Sequence, residues 1–109
     1  MKLFRPERIG SVIQEEISKM IVRDIELPGG LVTVVGVDVD QKIEHARIRV
    51  SVLPSSREAA ALRVLNLRIG EFQHALNRKM GIRPMPLLSF LIDRGNENAA
   101  RIDTLLKES

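Results

Sequence analysis

No cysteine, tryptophan or tyrosine occurs in the 109 residues, and the aromatic side chains are three phenylalanines, Phe4, Phe72 and Phe90. The missing thiols exclude disulfides, thiolate catalysis and zinc–thiolate centres. So few rings argue against recognition by stacking bases on aromatic platforms. The start, Met1-Lys2-Leu3-Phe4-Arg5-Pro6, has no secretory apolar run, and no apolar stretch approaches membrane-spanning length. A cytoplasmic chain that binds no membrane is expected. The seven glycines form neither a P-loop nor a dinucleotide fingerprint. His45 and His74 lack ligand-spaced partners and are expected as polar surface or edge residues, not bases or metal ligands. Asp38 and Asp40 share a strand face as a carboxylate pair, but such groups beside a turn usually just face water. No enzyme, cofactor, metal or small-molecule substrate is expected.

What is present suits one domain, residues 1–109, with 44% hydrophobic residues for a modest core. An isoelectric point near 9.8 points to a polyanionic partner. The excess positive charge is local. Residues 57–83 hold Arg57, Arg63, Arg68, Arg78, Lys79 and Arg83 against Glu58 and Glu71, a net +4 where the whole chain has +3.

Along the chain, Pro6 can open a helix whose stripe is Ile9, Val12, Ile13, Ile17, Met20 and Ile21 and whose end falls near Ile25, before Leu27-Pro28-Gly29-Gly30. Leu31–Val39 alternates with β-branched residues, and its first half, apolar on both faces, suggests a central strand. A turn over residues 40–44 leads to a half-buried strand, Ala46 to Val52, and the simplest pairing is an antiparallel hairpin. Arg47 and Arg49 are expected on its solvated face, opposite Asp38 or Glu44.

Ser55 and Glu58 have the spacing of a capping box. Leu62, Leu65, Ile69, Phe72, Leu76 and Met80 then line one helical face up to Gly81, a candidate left-handed C-cap. Gly70 lies inside this run, where glycine weakens a helix by roughly 1 kcal/mol relative to alanine, and so suggests a kink or a close backbone approach. Pro84 and Pro86 favour an extended entry into a third strand, Leu87–Ile92, with Phe90 and Leu76 expected in a shared core. Ala99, Ile102, Leu105 and Leu106 suggest a short last helix, and residues 1–5 and 95–109 are expected as frayed tails. Three strands with helices on one face make a two-layer α+β domain.

The order helix, strand, strand, helix pair, strand resembles the type II K homology (KH) fold. The usual Gly-x-x-Gly loop of that fold is absent, and Gly70 stands alone where it would lie. This departure and three local motifs resemble the bacterial ribosome-binding factor A family, in which an interhelical Ala-x-Gly kink replaces the loop. Arg5-Pro6-Glu7-Arg8-Ile9 resembles its Arg-x-x-Arg-Val start, and Ala46-Arg47-Ile48-Arg49-Val50-Ser51-Val52 its Ala-Lys-Val-x-Val-Ser-Val strand. Ile82-Arg83-Pro84-Met85-Pro86-Leu87-Leu88-Ser89-Phe90 resembles its Leu-Arg-x-x-Pro-x-Leu-x-Phe stretch, with Asp93 following. The kink here reads Arg68-Ile69-Gly70, with arginine in place of alanine.

The resemblance implies a KH-like domain and a non-catalytic assembly factor, expected as a monomer. It would bind the immature 30S subunit and its 16S ribosomal RNA, assist late maturation including 5′-end processing, and support growth in the cold. The charge pattern independently suggests Arg63, Arg68, Arg78, Lys79 and Arg83 as phosphate contacts grouped about a kink at Gly70, which Arg5 and Arg8 would join if the first helix lies beside the helix pair. Two bland roles compete: a solvated helix face for Arg63 and Arg68, and, for Arg78 and Lys79, compensation of the helix C-terminal dipole, typically about 0.3–1 kcal/mol. Arg83 lies in a loop with little packing reason for it. The alternatives are a KH-like module for a non-ribosomal RNA and a basic protein-interaction module.

Overall fold

A computed structural model describes residues 5–94. Helix α1 spans Pro6–Asp24, strand β1 Leu31–Val39 and β2 His45–Leu53; after a short turn come α2, Glu58–Leu67, and α3, Ile69–Met80, and then β3, Leu87–Ile92. Pro6 occupies the first turn of α1, where its missing N–H removes no helical bond. Gly81 takes φ 65° and closes α3 in the left-handed region that favours glycine. The expected short helix around Ala99–Leu106, and the tails beyond residues 5–94, lie outside the described residues.

The sheet order is β1-β2-β3, with β1 antiparallel and β3 parallel to β2. A parallel neighbour needs a crossover, and α2 and α3 supply it. The central strand is therefore β2, not β1 as the apolar pattern of β1 suggested. On β1 the outward side chains Leu31 and Val35 remain 61% and 38% exposed, so β-branching there marks an edge strand with an open outer face. A bulge between Val34 and Gly36 shifts the register of that edge.

Among the described residues, all three α-helices contribute to a single core on the inner face. Ala46, Ile48, Val50 and Val52 from β2 meet Ile9, Ile13, Ile17 and Ile21 from α1 and Ala61, Leu65, Phe72 and Leu76 from the helix pair. Gly10 lets α1 approach β1 closely, since a Cβ there would stand 2.9 Å from the Val37 carbonyl oxygen. Phe90 is only half-buried, unlike Leu76, because β3 lies at the sheet margin; its ring packs edge-on against Phe72 with centroids 5.8 Å apart.

Candidate nucleic-acid interface

The helix pair breaks at Arg68, two residues before the glycine that suggested the kink. Arg68 has φ −103° and ψ 3°, outside the helical basin, and serves as C-cap of α2 and N-cap of α3. Its carbonyl accepts from the Glu71 and Phe72 amides at 3.0 and 3.1 Å, which starts α3. Gly70 sits in the first turn of α3, exposed, and a Cβ there would meet nothing within 4 Å. The capping box also fails to form: Ser55–Arg57 is a 3-10 turn, α2 has no side-chain cap, and Glu58 instead pairs with Arg94 at 2.7 Å.

The structure sorts the six expected cations into two groups. Two are fastened internally. Arg68 pairs through Nε with Glu71 and donates through Nη1 to the Asp24 carbonyl, tying the break to the end of α1. Lys79 Nζ stands 2.9 Å from Glu16 Oε1, and this ammonium holds the Glu16 carboxyl below its usual range against opposing desolvation. Because Arg68 meets Asp24 and Lys79 meets Glu16, α3 runs antiparallel along α1. The other four, Arg8, Arg63, Arg78 and Arg83, are exposed and have no carboxylate at ion-pair distance among the described residues.

Two depressions flank α3. One, between α1 and α3, is lined by Glu16, Met20, Arg23, Ala75, Leu76, Arg78 and Lys79. The second, between α3 and the loop to β3, brings Arg83 beside Gln73 and Asn77 over Ile82, Met85 and Leu87. Gln73 sets that loop: its Nε2 donates to the Pro86 carbonyl at 2.9 Å, and its Oε1 accepts from the Leu88 amide at 3.0 Å. The side-chain amide thus pairs with the border of β3 as a neighbouring strand would. Sequence reasoning missed Arg23 and Gln73. The first was findable, because Glu16, Met20 and Arg23 at i, i+4 and i+7 share one stripe of α1; nothing in the pattern marked Gln73.

The opposite face of the sheet carries a different arrangement. Arg49, not Arg47, bonds Asp38, at 2.7 Å, and lies over Gly36 with Asp93 3.8 Å away. Asp40 does not face water as half of a carboxylate pair; it closes the β1–β2 turn by accepting from the Glu44 and His45 amides at 2.7 and 3.2 Å. These backbone bonds, led by that from Glu44, hold its pKa below the usual aspartate value. His45 Nδ1 lies 3.4 Å from Asp40 Oδ2, a neighbour the sequence spacing did not reveal.

A three-stranded sheet with helices on one face, and a helix–break–helix crossover where a Gly-x-x-Gly loop would stand, define a type II KH-like domain. The chain matches the family model described as ribosome-binding factor A over residues 5–106. It belongs to that family. Ribosome-binding factor A of Pseudomonas paraeruginosa is 31% identical over 96% of this chain and 85% of its own length, and that of Pseudomonas syringae pv. syringae is 35% identical over 96% and 79%. Among solved structures, the crystal structure of ribosome-binding factor A from Thermus thermophilus superposes with a TM-score of 0.70 at 23% identity, covering 84% of this chain and all of that one. A Thermus thermophilus model fitted into a cryo-EM map of a 30S–RbfA complex gives a TM-score of 0.69 at 25% identity, covering 81% and 94%.

Proposed function

We propose that this chain is a cytoplasmic, non-catalytic assembly factor that binds the immature 30S subunit, contacts 16S ribosomal RNA and assists late maturation, including processing of the 5′ end. The observation that carries the reading is the family match over residues 5–106, nearly the whole chain. The fitted 30S–RbfA complex supports the partner, since that relative shares this fold at a TM-score of 0.69. The exposed arginines Arg63, Arg78 and Arg83 on and beside the helix pair supply the chemistry: fork-shaped donors for phosphate oxygens. With no aromatic beyond three phenylalanines, such a surface grips backbone shape and charge rather than base edges. Gradient sedimentation of a lysate tests the proposal. The chain should travel with free small subunits and leave those fractions after ribonuclease treatment. Sedimentation with lighter RNA would assign a non-ribosomal RNA partner, and persistence on a protein after ribonuclease would assign a protein-interaction module.

A further inference from the structure

The depression between α1 and α3 is a groove of about 360 Å³ with cations on both walls. Its floor is Met20, Ala75 and Leu76, all aliphatic; Arg23 stands on the α1 wall and Arg78 and Lys79 on the α3 wall. Arg23 uses only Nε and Nη2 on Asp24, both at 3.0 Å, which leaves Nη1 to donate elsewhere. Lys79 has three N–H donors and meets one carboxylate, Glu16. Arg78 has no carboxylate partner among the described residues. Donors with no protein partner among the described residues therefore lie on both walls of a cleft that, among those residues, is lined by no aromatic ring.

We propose that this groove binds an RNA phosphodiester through Arg23, Arg78 and Lys79, with Glu16 competing for the Lys79 ammonium and repelling the incoming phosphate. The inference rests on the RNA-binding function proposed above and adds Arg23 and Glu16 to it. A single protein carboxylate entering the groove would offer Lys79 and Arg23 nothing that Glu16 and Asp24 do not already give them. A nucleic-acid strand differs, because each phosphate neutralised releases condensed counterions and adds a favourable, salt-dependent increment. Two non-bridging oxygens also match the guanidinium fork of Arg78, and Nη1 of Arg23 adds a single donor from the other wall. The aliphatic floor makes the contact independent of base identity.

Glu16 makes the proposal discriminating. If its ion pair with Lys79 only joined two helices, removing the charge would weaken the fold and leave binding unimproved. If Glu16 also repels phosphate, Glu16→Gln should tighten binding severalfold even though an ion pair is lost. Arg23→Gln should weaken binding about tenfold, as expected for one charge-assisted bond, and reduce the slope of log affinity against log salt by roughly 0.7. Both variants are compared with the unaltered chain on purified immature small subunits and on a fluorescein-labelled mixed-sequence RNA strand, with thermal midpoints measured in parallel. Opposite shifts in affinity for the two variants support the groove. Wild-type affinity and slope for Arg23→Gln, or weakened binding by Glu16→Gln, overturn it. Failure of the unaltered chain to bind subunits would instead remove the proposed function itself. Competition by polyglutamate as strong as by the RNA strand would assign the groove to an acidic protein and overturn the phosphodiester.

Discussion

Arg68 Nη1 donates to the main-chain carbonyl of Asp24 at 3.3 Å, so the residue that interrupts the helix pair also fastens it to the end of α1. Arg68→Gln should lower stability by about 1 kcal/mol, a fall of roughly 4–8 °C in the midpoint of a domain this size. Arg63→Gln, on an exposed face of α2, should leave the midpoint unchanged. Thermal melts of the two variants check the contrast, and equal midpoints would return Arg68 to the role of a surface charge.

Gln73 satisfies both a carbonyl and an amide at the border of β3, and the loop carrying Arg83 hangs between Gln73 and β3. Replacing it with leucine keeps the volume but leaves the Pro86 carbonyl and the Leu88 amide without partners, at a cost of about 1–3 kcal/mol. Gln73→Leu should therefore lower the denaturant midpoint and speed hydrogen exchange over residues 82–88. Unchanged exchange there would show that the strand border holds without the side chain.

At Gly70 the fold makes no demand for glycine: its φ is not positive and the space about its Cα is open. Gly70→Ala should raise stability by roughly 0.4–1 kcal/mol, because alanine is the better helix former and loses less entropy on folding. It should nevertheless weaken small-subunit binding, since a methyl group would hold a phosphate backbone away from the exposed first turn of α3. Melting and sedimentation are read together; a stabilised variant with unaltered affinity would mean that no partner approaches there.

The Asp40 turn gives a pH signature. Its folded pKa lies below the unfolded value of 3.8, so its contribution is complete above 3.8 and is lost as pH falls through the folded value. Asp40→Asn keeps an acceptor for the two amides but has no charge to titrate. The variant should show a shallower loss of midpoint than the unaltered chain in acid melts below pH 3.8. Parallel acid limbs would place the titrating carboxylate elsewhere, at Glu16 or Asp24, which are also held low by their cationic neighbours.

Elements defined by local periodicity were legible in the sequence. The stripe of α1, the alternation of β1 and β2, the entry of β3 after Pro84 and Pro86, and the cap at Gly81 all depend on neighbours within a few positions. What pattern could not supply was pairing between distant segments. The place of β3 beside β2 is decided by the crossover, and the same arrangement turns apolar β1 into an edge strand and leaves Phe90 half-buried. At the helix break, Arg68 is held by a carbonyl 44 residues earlier, a bond no local window contains. Glu58 had the right spacing for a capping box, yet Arg94 takes its carboxylate. For the interface, composition located the basic segment but could not separate Lys79 and Arg68, which tie helices together, from Arg63, Arg78 and Arg83, which stand clear.

An open three-stranded sheet has two borders where another strand could add, and each is altered in a way that disfavours addition. Along β1, the bulge between Val34 and Gly36 breaks the regular spacing of outward amides and carbonyls that an incoming strand would have to match. Along β3, Gln73 already occupies the first such pair. A sheet whose strands expose Leu31, Leu53 and Leu87 would otherwise be a template for edge-to-edge aggregation. One inserted residue and one side-chain amide thus disfavour strand addition along the two borders of the sheet.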